Sequence, residues 1–258
     1  MKSETYPTSV NAVKLTANDT LYEFFDTEDG SPTVRRSDKE QAPEAMHHCG
    51  GALTESLYIY GEAIRYSVEH RIPLRIISVG LGLGYNEMIS FALTNEPIKM
   101  ISFEKDPILK NGFLNWLGLM PLDPSPLQDQ LRITLNRVLN VVAIQCAVSP
   151  TLLIEKMRTS FLDKDWHVFS DVRELQKIDS TYHIVLFDAF SKKATPDLWS
   201  EEFFANFFKH YVRAPAVFAT YASNGSGRRA LKNYGFESIH RSGFQGKRES
   251  TFAVLQQV

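Results

Sequence analysis

The carboxylate of Asp188 closes the apolar run Ile184-Val185-Leu186-Phe187, and Ala189-Phe190-Ser191 and Pro196-Asp197-Leu198-Trp199 follow it. Such a run reads as a buried strand that carries one carboxylate to its C-terminal end. In open α/β sheets that edge is where ligands sit. A carboxylate placed there can hold or accept a proton; the plainer alternative is an Asp that caps the following turn.

Two further segments favour chemistry. In Ile76-Ile77-Ser78-Val79-Gly80-Leu81-Gly82-Leu83-Gly84-Tyr85-Asn86 an apolar strand runs through three glycines into a helical pattern. Glycines at such a turn let the backbone approach a ligand, which then faces the helix N-terminus. The dinucleotide fingerprint needs its third glycine three places after the second. Gly80, Gly82 and Gly84 alternate instead, and position 85 is tyrosine, a pattern better suited to the amino-acid end of S-adenosylmethionine than to a pyrophosphate. In Met100-Ile101-Ser102-Phe103-Glu104-Lys105-Asp106-Pro107, Glu104 stands twenty positions beyond Gly84, at the end of the next strand. An acid at about that distance can accept hydrogen bonds from ribose hydroxyls, while Asp106 before Pro107 signals a helix start.

These residues need a frame that brings strand ends together, and the chain has the material for one. Of its 258 residues 43% are hydrophobic, seventeen of them Phe, enough for a sizeable core. Strands are expected near 75–80, 98–104, 166–169, 182–188 and 215–221, and helices near 52–69, 84–94, 107–118 and 198–211, with more helix between 130 and 160. Phe236 to His240 and Thr251 to Leu255 can close as an antiparallel pair. Such alternation implies a mostly parallel sheet covered by helices, and five parallel strands ending in a hairpin is the layout of the class I, Rossmann-like methyltransferase fold. Ahead of it, Leu21–Phe25 and Thr33–Arg36 flank a Gly/Pro turn and read as a hairpin. The expected division is an extension over 1–50 and a methyltransferase domain over 51–258.

Net charge is only −2, but Ser226 to Val258 carries Arg228, Arg229, Lys232, Arg241, Lys247 and Arg248 against Glu237 and Glu249, a local +4. A patch of this kind can hold phosphates, or be ordinary solvated charge. Two cysteines, Cys49 and Cys146, point to a reducing compartment. No metal is expected, because His47-His48-Cys49 has no second cluster at ligand spacing. Met1 to Asn18 has no apolar core of a signal peptide, and no run approaches membrane-spanning length, so a cytoplasmic protein is the expectation.

From about Leu53 onward the chain resembles the methyltransferase domain of the bacterial MnmC-type enzymes, which finish 5-methylaminomethyl-2-thiouridine at the tRNA wobble position. The ordered words that carry the resemblance are Glu55-Ser56-Leu57-Tyr58-Ile59-Tyr60, Ile101-Ser102-Phe103-Glu104-Lys105, Phe169-Ser170-Asp171-Val172-Arg173-Glu174-Leu175, Phe187-Asp188-Ala189-Phe190 with Pro196-Asp197-Leu198-Trp199, Ala219-Thr220-Tyr221, Arg228-Arg229, Gly235-Phe236 and Gly243-Phe244-Gln245-Gly246-Lys247-Arg248-Glu249. The family's glycine loop usually carries threonine where Leu83 stands, and Ser191-Lys192-Lys193-Ala194-Thr195 departs from its usual turn. Bifunctional members add an FAD-dependent oxidase domain; with no second dinucleotide loop, a stand-alone methyltransferase is the expectation here, supplied with its amine substrate by a separate enzyme.

The resemblance implies S-adenosylmethionine as cofactor and methylation of a tRNA-borne primary amine near the anticodon. Asp188 would hold the amine and take its proton. Gly80, Gly82, Gly84 and Asn86 would shape the methionine pocket, with Glu104 on the ribose, Asp171 on the adenine amino group, and Glu55 and Tyr58 as further contacts. Phe190 and Trp199 would wall a flipped-out base, and Arg228, Arg229, Lys247 and Arg248 would hold tRNA phosphates. Three competing readings stay open: an aminopropyltransferase-like enzyme, from which an acid inside the glycine loop is missing; a methyltransferase or related enzyme acting on a small amine; and a cofactor-binding module without catalysis, against which Asp188 speaks.

Overall fold

The computed structural model describes residues 12–39, 43–121, 123–177, 180–241, 244 and 250–256. The chain opens with four antiparallel strands, β1 (Val13–Ala17), β2 (Thr20–Asp26), β3 (Pro32–Ser37) and β4 (Glu44–Ala45), paired in that order. The expected hairpin is β2–β3; β1 and β4 extend it to a small sheet. Asn18 and Asp19, both at positive φ, make the two-residue turn between β1 and β2, the backbone that matches strand twist. Phe24 and Val34 from this sheet belong to the same apolar cluster as Leu53, Tyr60 and Phe113.

A helical segment follows: α1 (Ala52–Ser56), a π-helical stretch Leu57–Gly61 and α2 (Glu62–Glu69). The alternating part then comprises β5 (Arg75–Val79), α3 (Tyr85–Ala92), β6 (Lys99–Phe103), α4 (Pro107–Trp116), α5 (Pro126–Gln145), α6 (Pro150–Leu162), β7 (Trp166–Phe169), β8 (Tyr182–Phe187), α7 (Glu201–Tyr211), β9 (Val212–Thr220), α8 (Gly225–Tyr234), β10 (Glu237–Ile239) and β11 (Thr251–Leu255). Capping residues set the helix starts. Asp106, Ser125 and Ser149 each accept backbone N–H bonds ahead of a proline at the first turn of α4, α5 and α6, the arrangement that satisfies otherwise orphaned donors.

The seven-stranded sheet has the order β10-β11-β9-β8-β5-β6-β7. Strands β5 to β9 run parallel, and β11 and β10 close the edge antiparallel. Its central strands are buried on both faces. Ile76, Met100, Ile184 and Val217 join one core cluster, and their neighbours Ile77, Ile101, Val185 and Phe218 the other, which is why these strands read as continuous apolar runs. The chain leaves β5 toward β6 and β7, then returns to β8 on the other side of β5, so the order reverses between β5 and β8, where ligand crevices form.

The expected strands lie where the apolar runs place them. The helical reading of 198–211 divides into a 3₁₀ turn, Pro196–Trp199, and α7, because Ser200 caps α7 at Phe203 N. Helix α8 lies in a stretch whose sequence shows mainly charge; Asn224 caps its start and Gly235, at φ 100°, ends it. Among the described residues, no single helix is long and apolar enough to cross a membrane.

Candidate active site

Asp188 sits where the sheet order reverses. Its backbone N–H bonds to Val79 O at 2.8 Å, continuing the β8–β5 pairing by one residue. Gly80 lies against it at φ 90°, and a Cβ there would stand 2.3 Å from Asp188 O. Position 80 therefore tolerates only glycine, for its backbone conformation and for its contact with the strand end.

Two neutral donors hold the Asp188 side chain. Tyr60 Oη donates to Oδ1 at 2.7 Å, and Asn86 Nδ2 donates to Oδ2 at 3.0 Å. Tyr60 comes from the π-helical stretch, whose wider turn carries its ring toward the sheet; single π turns recur at functional sites. Burial pushes the Asp188 carboxyl up to about 7; the Tyr60 and Asn86 bonds hold it down, and the charges of Glu55 and Glu87 push it up. A carboxylate poised near neutrality can accept and release a proton at little cost.

A cleft of about 950 Å³ opens beside Asp188. Gly80, Gly82, Asn86, Glu104, Asp171, Glu55 and Phe190 line it, so eight of the site residues expected from sequence, Asp188 among them, face one space. Glu104, 8% exposed, accepts N–H bonds from Gly82 at 2.8 Å and Asp106 at 2.7 Å. It thereby ties the loop after β5 to the loop after β6. Burial pushes its carboxyl up to about 7 against the restraint of those two bonds. Asp171 accepts from Arg173 N and Nε, both at 2.9 Å, and that guanidinium keeps its carboxyl below the usual range.

Gly84, Tyr58 and Trp199 are placed otherwise than expected. Gly84 does not line the cleft: it starts α3 at φ 74°, and a Cβ would stand 2.2 Å from the Phe113 ring, so its service is close packing. Asn86 is positioned on Asp188 by its amide hydrogen bond. Tyr58 lies outside the cleft with the Arg241 guanidinium 4.4 Å from its ring centre. Trp199 is 1% exposed and packs 5.0 Å from the Phe187 ring, so it cannot stack on a base; its indole N–H donates instead to Phe190 O at 2.7 Å and anchors that loop. Arg228 and Arg229 lie on the exposed side of α8, away from the cleft, and Arg229 pairs with Glu201 at 2.8 Å. Lys247 and Arg248 lie outside the described residues.

Other lining residues stand outside the expected set. Tyr22, Arg36 and Glu44 of the small N-terminal sheet, and Met46 just beyond it, line the cleft. Tyr22 Oη and Arg36 Nε both reach Asp106 Oδ2, at 2.7 and 3.1 Å. Glu44 accepts from Ser191 N at 3.0 Å and clasps the loop behind Asp188. Tyr221 also lines the cleft and donates to Ala189 O at 3.1 Å. No periodicity marks these groups, because the elements that carry them meet only in the fold.

The residues present fit S-adenosylmethionine. Glycines leave the floor of the cleft without side chains, Glu104 keeps acceptor capacity toward it, and its volume suits a ligand of that size. The fold is that of the S-adenosylmethionine-dependent methyltransferases, and the cleft suits S-adenosylmethionine as cofactor. A family model described as S-adenosyl-L-methionine-dependent methyltransferase matches residues 154–256.

The chain is similar to part of the tRNA 5-methylaminomethyl-2-thiouridine biosynthesis bifunctional protein MnmC of Burkholderia mallei, at 27% identity over 80% of this chain and 32% of that protein. An uncharacterized protein of Methanocaldococcus jannaschii is 24% identical over 89% of this chain and 58% of its own length. The chain thus spans about a third to three fifths of these two relatives. The crystal structure of MnmC2 from Aquifex aeolicus superposes with a TM-score of 0.62 at 22% identity, covering 92% of this chain and 72% of that one. The sequence-level resemblance to MnmC-type methyltransferases is therefore matched both by relatives and by fold.

Proposed function

We propose that the protein transfers a methyl group from S-adenosylmethionine to the primary amine of 5-aminomethyl-2-thiouridine at the wobble position of tRNA. The observation that carries this reading is Asp188, gripped by Tyr60 and Asn86 at the wall of the cleft, with its carboxyl raised to about 7. The similarity to MnmC proteins points to the amine and to tRNA.

An alkylamine has a reference pKa of about 10, like lysine, and is mostly protonated at neutral pH. It must shed a proton before its lone pair can react. Asp188 accepts that proton from the ammonium and later releases it to water. The hydrogen bonds from Tyr60 and Asn86 hold both carboxylate oxygens in place, so the amine is aligned as well as deprotonated, and alignment supplies much of the acceleration in such transfers. When bound, S-adenosylmethionine supplies the electrophilic methyl: a nitrogen–carbon bond forms as the sulfur–carbon bond breaks, the electron pair stays on sulfur, and a secondary ammonium and S-adenosylhomocysteine result. Gly80 and Gly82 give the methionine part close access to backbone, Glu104 accepts from the ribose, and Asp171 faces the adenine. Phe190, at the cleft wall, offers a surface for the base.

Under this reading, the methyltransferase domain spans 51–258 and residues 1–50 are an N-terminal extension that carries the β2–β3 hairpin. The anticodon arm is held by the basic C-terminal residues, the amine comes from a separate enzyme, and the work is done in the cytoplasm.

The test is methyl transfer from labelled S-adenosylmethionine to tRNA carrying aminomethyl-thiouridine, with nucleoside analysis. Label in 5-methylaminomethyl-2-thiouridine is the expected result. Cofactor binding without label on that nucleoside would reject the substrate and direct the search to small amines. Reversing the charge of Lys247 and Arg248 together should weaken tRNA binding and flatten its salt dependence; unchanged binding across salt concentrations would remove them from the interface.

A further inference from the structure

In the N-terminal sheet, β2 and β3 pair with Tyr22 opposite Arg36, so the two side chains leave the same face as cross-strand neighbours. Both end on one oxygen of Asp106. Tyr22 Oη donates to Oδ2 at 2.7 Å, and the Arg36 guanidinium stands 3.1 Å from that oxygen through Nε. Tyr22 is 2% exposed. Burial, with the Asp106 carboxylate beside it, pushes its phenol well above the ordinary range, so it remains an O–H donor. The other Asp106 oxygen, Oδ1, accepts from Ile108 N at 2.9 Å and Leu109 N at 3.3 Å at the start of α4. With both oxygens engaged, the Asp106 side chain is a fixed post.

The backbone of the same residue holds the acid in the cleft. Asp106 N donates to Glu104 Oε1 at 2.7 Å, and Gly82 N donates to Oε2 at 2.8 Å. Each Glu104 oxygen therefore takes one N–H and keeps a further lone pair for a hydroxyl. Glu104 and Asp106 both line the cleft. Turning Asp106 out of place would release Oε1 and leave Glu104 held by Gly82 alone. Tyr22, Asp106, Glu104 and Gly82 thus form one hydrogen-bonded chain from the N-terminal sheet to the glycine loop.

We propose that Tyr22 is a positioning residue for the cofactor site: through Asp106 it orients Glu104, and so strengthens the hold on a ligand with two adjacent ribose hydroxyls. The inference rests on the placing of Glu104 on the ribose in the function proposed above, and it makes the N-terminal sheet a part of cofactor binding. A hydrogen bond to a carboxylate is roughly twice as strong as one between neutral groups, which suits a donor that has to keep Asp106 still. Residues along such a chain change affinity at a site they need not touch, typically by a few-fold to about tenfold.

The experiment measures binding rather than turnover. Wild type, Tyr22→Phe, Asp106→Asn and the double variant are titrated calorimetrically with S-adenosylhomocysteine and with its 2′,3′-dideoxy analogue. Tyr22→Phe keeps the ring and deletes the donor. Asp106→Asn keeps an oxygen to cap α4 and replaces the acceptor of the Tyr22 bond by an amide. Wild type should prefer the natural ribose by about tenfold or more. Tyr22→Phe should lose about fivefold in affinity for S-adenosylhomocysteine and nothing for the dideoxy ligand. Asp106→Asn should show the same pattern, and the double variant should be no worse than Asp106→Asn alone. Equal losses on both ligands would mean that Tyr22 only packs or touches the ligand elsewhere, and would overturn the proposal while leaving Glu104 on the ribose. Losses that add in the double variant, or a Tyr22→Phe protein with wild-type affinity for both ligands, would overturn it as well. A wild type that binds both ligands equally would take Glu104 off the ribose, and the proposal would fall with that reading.

Discussion

Tyr60 and Asp188, 128 residues apart in the chain, meet through a 2.7 Å hydrogen bond from phenol to carboxylate. Burial and neighbouring acids drive the Asp188 carboxyl up, and this bond, with that of Asn86, holds it down. The balance leaves the group near 7, where a general base works best at neutral pH. Tyr60 itself stays a phenol throughout, since burial and Asp188 push it well above its ordinary range.

Tyr60→Phe removes the donor and keeps the ring. Without the bond that lowers it, the Asp188 carboxyl should titrate at a higher pH. The acid limb of the kcat/KM profile should therefore move toward alkaline pH, with kcat reduced about tenfold at neutrality. A profile recorded from pH 5 to 9 decides it; an unmoved limb would mean that Tyr60 only packs.

Asp188→Asn should abolish methyl transfer, by roughly 10² to 10⁴-fold, while S-adenosylmethionine still binds in calorimetry. It should also stabilise the fold at neutral pH. A carboxyl at 3.8 when unfolded and about 7 when folded binds more protons in the native state, so its contribution becomes unfavourable as pH rises from 4 to 7. The variant lacks that contribution. Its advantage in unfolding temperature should be absent near pH 3, grow to pH 7 and level off above, which thermal melts at four pH values would show.

Gly80→Ala forces a Cβ to within 2.3 Å of Asp188 O at a φ of 90°. Both the strain and the clash act on the strand end that carries Asp188. A loss of about 2 kcal/mol or more in denaturant unfolding is expected, together with a fall in kcat beyond what unfolding explains. Gly30, at φ 78° with nothing within 4 Å of where a Cβ would stand, is the control: alanine there should cost strain only and leave kcat alone.

Trp199→Phe keeps an aromatic ring in the core but a smaller one, and deletes the indole N–H bond to Phe190 O. Stability should fall by about 1–3 kcal/mol, from the lost bond and the space left behind. If the bond fixes the Phe190 loop beside the cleft, KM for tRNA should rise while cofactor affinity stays. Equal KM with lowered stability would confine Trp199 to the core.

The parallel strands are legible in the sequence because both sheet faces are buried, so β5, β6 and β8 are written as continuous apolar runs. The end of such a run marks the ligand edge, which is why Asp188 and Glu104 stand out and why both line one cleft. Helix α8 is hard to see in the sequence because its interior is glycine- and charge-rich; its signature lies in the bracketing Asn224 and Gly235.

Local order alone determined which backbone segments turn at glycine and which carboxylates reach the sheet edge, since those depend on neighbours within a few residues. Whether Trp199 faces a base or the core, that the Asn86 amide bonds Asp188, and that Tyr60 and the N-terminal sheet belong to the site at all were decided by tertiary packing. Tyr60 reaches Asp188, more than a hundred residues away, from a π-helical turn that packs against α3 and β9, a conformation and a pairing that no local pattern in the sequence announces.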